Sequence, residues 1–167
     1  PIDENIIISS TGALSLKKVP KKLIVIGAGV IGLELGSVYS RLGSQVEVIE
    51  YANKILPPFD NEISSTFQRL LQKQGFKFHL GSKVVGGFLK ESSAVVKFES
   101  VSTGVQSELE ADIILIATGR RPFTDALNLD KISVETGKVG KIKVDDHRRT
   151  LSHKNIYAVG DVIEGPM

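Results

Sequence analysis

The stretch "LIVIGAGVIGLELGSVYSRLGSQVEVIE", residues 23–50, constrains the fold more than any other part of the chain. Residues 23–27 form an apolar run without alternation, as expected of a parallel strand buried on both faces. Gly27, Gly29 and Gly32 then meet the G-x-G-x-x-G spacing. From Val30 to Leu42 the apolar positions Ile31, Leu35, Val38 and Leu42 fall on one stripe, which predicts a helix that Gly43 ends. Residues 45–50 return as a second strand closing on Glu50. This is a βαβ unit.

Each glycine has its own physical reason. The first permits a tight strand-to-helix turn, the second lets a pyrophosphate approach the backbone, and the third lets helix and strand pack closely. Gly36, one turn beyond Gly32, extends that smooth face. The phosphates would rest on free N–H groups around Gly29, Val30 and Ile31, where the helix dipole is positive. Glu50 lies where the ribose of a bound dinucleotide presents its 2′-hydroxyl; a carboxylate accepts hydroxyl hydrogen bonds and repels a 2′-phosphate. With Tyr51 rather than arginine next in sequence, NAD(H) is favoured over NADP(H). A turn used only for packing, and a solvated acid at a strand end, would satisfy the same spacings. Glu34, in the first turns of the helix, reads from spacing alone as a solvent-exposed carboxylate on the helix dipole.

The rest of the chain continues the α/β pattern. A short strand in "NIIISSTGALSL" is followed by a turn around Gly12 and a lysine-rich connector ending at Pro20. "YANKILPPFD" reads as a loop, and Asp60 as the cap of a helix running to about Gln74, with Ile63, Phe67, Leu70 and Leu71 as its apolar stripe. Gly75 stops it, and "FKFHL" is a third strand. Between Val84 and Leu109 the segments alternate, punctuated by Gly86-Gly87, Ser92-Ser93 and Gly104, which predicts an inserted antiparallel meander. "DIILIATG" is another buried strand. Beyond about residue 137 two short apolar strands appear with no helix to cover them. The expected architecture is α/β: a Rossmann-like NAD-binding domain with a parallel sheet and an inserted antiparallel β-meander.

Composition removes several alternatives. The 167 residues are 41% hydrophobic and 24% charged, enough to bury a core. The net charge is +2, and the clusters Lys17-Lys18, Lys21-Lys22 and Arg120-Arg121 read as solvated surface, without the aromatic interleaving of a nucleic-acid or membrane face. There is no cysteine, so the chain itself holds no disulfide, thiolate metal site or thiol redox chemistry. His79, His147 and His153 lack metal-ligand spacing. No apolar run reaches bilayer length. "PIDENIIISS" is neither a signal nor a transit peptide and reads as the middle of something longer.

"SSTGALSLKKVPKKLIVIGAGVIGLELGSVYSRLGSQVEVIE" resembles the central region of the dihydrolipoyl dehydrogenase family of flavoprotein disulfide oxidoreductases. "QRLLQKQGFKF", "ATGRRPFT" and "NIYAVGDVIEGPM" resemble the same family in the same order, so the likeness covers nearly the whole chain. It implies two dinucleotide folds in a full-length protein, one for FAD and a central one for NAD. Without a cysteine pair after it, the glycine turn here corresponds to the NAD fold.

Residue by residue, the resemblance carries NAD contacts onto Gly27, Ala28, Gly29, Val30, Ile31, Gly32, Leu33, Glu34, Glu50, Val84 and Gly119. Val84 would line the adenine side and Gly119 would leave room near the nicotinamide half. The position of Glu34 approaches the flavin in the family. Asp161 and Met167 match FAD-contacting positions. The implied domains are 1–20, a linker and strand from the FAD domain; 21–137, the NAD-binding domain; and 138–167, the start of the returning FAD segment. The implied partners are NAD(H), the FAD and dimerisation domains of a homodimer, and the 2-oxoacid dehydrogenase complexes. The implied location is the mitochondrial matrix, with a bacterial cytoplasm as the alternative. A flavoprotein disulfide reductase of another kind, an NADH oxidase and a stand-alone NAD-binding module share the same text, and the redox cysteines and the His/Glu base are absent from it.

Overall fold

Leu23, Ile24, Val25 and Ile26 are apolar on both sides of an extended chain, and the computed structural model buries both sides. It describes residues 1–137 and 139–165. These fall into two compact units, Pro1–Gly119 and the segment from Arg120 onward.

In the first unit, β1 (Ile7–Ile8), β2 (Lys22–Ile26), β3 (Gln45–Ile49), β4 (Lys77–His79) and β8 (Ile113–Ile116) form one parallel sheet in the order β1-β8-β2-β3-β4. β2 lies at its centre, Val25 opposite both Val48 and Leu115. Side chains alternate across this sheet. Leu23 and Val25 face the helices with Val46, Val48 and Leu115, while Ile24 faces the other way with Ile49 and Ile114. Each such side chain, fully buried, contributes about 1.5–3 kcal/mol.

The helices α1 (Ser10–Ala13), α2 (Val30–Arg41) and α3 (Asn61–Lys73) belong to the first of those clusters. α1 was expected only as a turn; the hydroxyl of Ser9 accepts the N–H groups of Thr11 and Gly12 and closes a single helical turn. Asp60 caps α3 as expected, accepting from Glu62 and Ile63. The other cluster is covered by an antiparallel meander, β5 (Ser82–Leu89), β6 (Ala94–Ser100) and β7 (Gln106–Ala111). Ala94, Val96 and Phe98 of β6 point at the parallel sheet. The unit is therefore three layers: helices, parallel sheet, meander.

Three sequence expectations need correction. α2 buries Gly32, Leu33, Gly36 and Tyr39; of the expected stripe Ile31, Leu35, Val38 and Leu42, Leu35 alone packs, half-buried, against this core. Val38 and Leu42 are 47% and 58% exposed, because the glycine edge is the one that can approach the strands. In α3 the expected Leu71 and Phe67 do pack inward, together with Ser64, but Ile63 and Leu70 are half exposed. Gly86-Gly87 is no turn: both lie within β5, after a bulge between Val84 and Gly86, and Gly87 passes against the Val95 carbonyl.

In the second unit the two expected strands reduce to isolated bridges. Ile142 pairs with Thr136 and Ile163, Val144 with Thr150, and Arg149 with Tyr157. Val134, Ile142, Ala158 and Ile163 form its small core.

Candidate functional site

The glycine turn leaves β2 through Gly27 at φ +104, with its N–H donated to the Ile49 carbonyl at 2.9 Å. A Cβ there would stand 2.5 Å from the Ala117 carbonyl oxygen. At Gly32 a Cβ would press on the Gly27 carbonyl and Val25, so the third glycine sets how closely α2 approaches the sheet. Gly29 differs. It is the N-cap of α2, a Cβ there would meet nothing within 4 Å, and no side chain caps the helix. The first-turn amides around Val30 and Ile31 therefore open onto unfilled space at the positive end of a twelve-residue helix.

Glu50 is built into this turn. Its Oε2 accepts the Ala28 N–H at 2.7 Å and its Oε1 accepts the Ala52 N–H at 2.8 Å. Its own N–H donates to the His79 carbonyl at 3.0 Å, and its carbonyl accepts from Ser82 at 2.9 Å. The carboxylate is thus fixed in direction, and each oxygen keeps a lone pair for a hydroxyl. The Ala28 carbonyl is held in turn by the Leu56 N–H at 2.9 Å, with Leu56 at φ +47 and Ile55 fully buried.

A cleft of about 260 Å³ brings three of the expected residues together: Gly27, Glu50 and Val84. Tyr51, Lys83 and Thr118 line it as well, and sequence spacing did not select them. Tyr51 and Lys83 directly neighbour selected residues, so adjacency was the available signal; for Thr118 it was the glycine that follows. A larger, apolar cavity of about 620 Å³ lies between the parallel sheet and the meander and shares Ile26 and Val84 with the cleft. It contains none of the glycine-turn amides and no Glu50, so the smaller cleft is the better candidate for nucleotide chemistry.

Leu33, Glu34, Gly119 and Asp161 do not line that cleft. Leu33 is buried under α2. Glu34 is exposed and borders a groove between α2 and α3 with Val38, Arg41 and Phe67. Gly119, at φ +135, follows Thr118. Asp161 lies in a 3-10 turn of the second unit, its Oδ2 3.7 Å from Nε of Arg120. Met167 lies outside the described residues.

The histidines have ordinary partners. His79 Nε2 meets Glu47 Oε2 at 2.8 Å, His153 Nε2 meets the Ile132 carbonyl, and the His147 N–H donates to Asp145. Among the described residues no group of three or more His, Asp and Glu is disposed to hold a metal ion. None of their helices is long and apolar enough to cross a membrane.

Comparison with known proteins adds a family to this geometry. The model of the family "Pyridine nucleotide-disulphide oxidoreductase" matches residues 2–167. The mitochondrial dihydrolipoyl dehydrogenase of Pisum sativum is 53% identical over 166 residues, which cover 99% of this chain and 33% of that protein. The Bos taurus mitochondrial enzyme of the same name is 51% identical, again over 99% of this chain and 33% of its own length. The chain thus spans about a third of these curated relatives. Among solved structures, the HOCl-induced flavoprotein disulfide reductase RclA from Escherichia coli, as its Cu(II) complex, superposes with a TM-score of 0.85 at 32% identity, covering 96% of this chain and 35% of that one. With the match running over essentially all of its length, the chain belongs to the pyridine nucleotide-disulphide oxidoreductase family.

Proposed function

We propose that this chain is the NAD(H)-binding domain of a dihydrolipoyl dehydrogenase. The observation that carries the proposal is the carboxylate of Glu50 bonded to the Ala28 N–H at the mouth of an uncapped helix, in one cleft with Gly27 and Val84. Two features support that reading: a Cβ at Gly29 would meet nothing within 4 Å, and no side chain caps α2, so its first-turn N–H groups are open to a phosphate. The amides of Val30 and Ile31 would hold the phosphates. Glu50 would take the adenosine ribose hydroxyls, Val84 would flank the adenine, and Gly119 would leave room for the nicotinamide. Bound NAD⁺ supplies the electron acceptor; this chain supplies its orientation and excludes a 2′-phosphate by charge.

For the whole protein we propose oxidation of dihydrolipoamide through a disulfide and FAD, with Glu34 and Asp161 on the flavin side. We further propose a homodimer serving 2-oxoacid dehydrogenase complexes in the mitochondrial matrix. In this reading residues 1–20 and 138–167 flank the NAD domain and return to the FAD domain. The relatives named dihydrolipoyl dehydrogenase, at 51% and 53% identity, support this over a disulfide reductase of the RclA kind at 32%. They also support it over an NADH-oxidase-like protein; an engineered water-forming NADPH oxidase is 26% identical at a TM-score of 0.79.

The test is calorimetric titration with ADP-ribose, NAD⁺ and NADP⁺. ADP-ribose and NAD⁺ are expected to bind weakly and alike, since the groups described contact the shared half, and NADP⁺ more weakly still. Absence of ADP-ribose binding at millimolar concentration, or equal binding of NADP⁺, sinks the proposal.

A further inference from the structure

Lys17, Lys18 and Lys21 of the connector between α1 and β2 and Lys22, the first residue of β2, fall within six residues, and all four are exposed. The connector is pinned. Pro20 is buried and its carbonyl accepts the Ser44 hydroxyl at 2.5 Å. The Lys21 carbonyl accepts the Gln45 N–H at 2.8 Å. The Lys22 N–H donates to Asp112 Oδ2 at 2.9 Å, and its carbonyl accepts the Asp112 N–H at 3.2 Å. The lysines therefore project from a fixed platform.

In the same unit Lys77 pairs with Glu47, Lys90 with Glu110 and Lys97 with Glu108. Among the described residues, Lys83 on β5 has no carboxylate partner, and neither has any of Lys17, Lys18, Lys21 and Lys22. The nearby acids are already engaged. Asp112 holds the Lys22 N–H, and Glu110 holds Lys90 and Ser93. The hydrogen bond from Lys90 is the foremost reason the Glu110 carboxyl sits below its usual range, and Lys22 adds a longer-range pull. Six residues of chain span at most about 20 Å, so the four positive charges are gathered in one short stretch of the surface. On a chain of net charge +2 this is a local concentration of positive charge, with Val19 (46%) and Leu14 (80%) exposed beside it.

We propose that this connector is a docking surface for an acidic, partly apolar segment of a partner protein. Flexible ammonium groups suit carboxylates presented without strict geometry, and the flanking valine and leucine suit an interspersed apolar side chain. The platform holds neither an arginine nor an aromatic residue, so it lacks the groups that read or stack on nucleic acid. It ends at the first residue of β2, whereas the glycine turn follows the last, about 17 Å along a five-residue strand. Partner and nucleotide can be bound together.

The test is fluorescence anisotropy with a labelled peptide of repeating Glu-Glu-Leu units. It compares the unaltered chain with Lys17→Glu/Lys18→Glu/Lys21→Glu and with the charge-neutral Lys17→Gln/Lys18→Gln/Lys21→Gln. Peptide affinity is expected to fall about tenfold or more in the glutamate variant and less in the glutamine variant. Affinity of the unaltered chain should fall as salt rises, while ADP-ribose binding stays the same in all three. Equal peptide binding by the unaltered chain and the glutamate variant overturns the proposal. So does equally tight binding of duplex DNA or phosphatidylserine vesicles by the unaltered chain, because the surface is then a general anion attractor.

Discussion

Glu50 shows how much a single residue carries beyond the role its position suggests. Spacing marked it as a ribose acceptor; the structure adds that both oxygens hold backbone N–H groups, of Ala28 and Ala52. Glu50→Ala would leave two partly buried donors unpaired, so it should lower unfolding free energy by about 1–3 kcal/mol in a urea titration as well as weaken nucleotide binding. An unchanged midpoint would show that water replaces the carboxylate without loss. The glycines separate in the same way. Gly32→Ala overpacks α2 against β2 and is expected to cost about 1–3 kcal/mol in thermal or urea unfolding. Gly29→Ala has open space and φ −79, so its stability should stay near the parent's while ADP-ribose affinity falls. If both variants behave alike, the two glycines do not have separate roles. Gly27, Gly29, Gly32 and Glu50 were legible because the glycine spacing and the strand-end acid belong to local chain geometry. Tyr51, Lys83 and Thr118 were not, since their common feature is the cleft wall, which exists only after β2, β3, β5 and the end of β8 are brought together.

At the scale of elements, the long strands and helices were readable, while the inner faces of the helices were readable only in part. Periodicity found α2 and α3, and Gly43 and Gly75 ended them at φ +105 and +97. The apolar stripe misidentified the inner face of α2 because close packing here depends on Gly32 and Gly36, which carry no hydrophobic signal. β5 defeated the reading for a related reason: its two glycines suggested a turn, but they accommodate a bulge and the approach of β6. The start of β1 is titratable. The Asp3 carboxylate accepts the N–H groups of Asn5, Ile6 and Ile7, and the bond from Asn5 foremost holds its pKa below the ordinary aspartate range. A depressed carboxyl contributes its stabilisation above the unfolded-state pKa, near about 4, and loses it as pH falls through the folded value. Amide exchange at Ile6 and Ile7 is therefore expected to gain protection relative to unpaired amides as pH rises through that window, and Asp3→Asn should abolish the change. The same pH profile in both proteins would remove Asp3 from the account.

For the molecule as a whole, the parallel sheet and the meander followed from alternating and non-alternating apolar runs, because burial on one face or two leaves that imprint. Membership of a family of disulphide oxidoreductases stands beside a chain with no cysteine. The purified chain, supplied with FAD and NAD⁺, is expected to show no dihydrolipoamide oxidation in an NADH absorbance assay; measurable turnover would mean that electron transfer needs none of the sulfur chemistry proposed for the whole protein. The border strands of the parallel sheet have a separate consequence. β1 has two residues and β4 three, whereas the central β2 has five. Ladders that short expose too few free amides to recruit a neighbouring molecule, which guards the sheet against fibrillar stacking in concentrated solution.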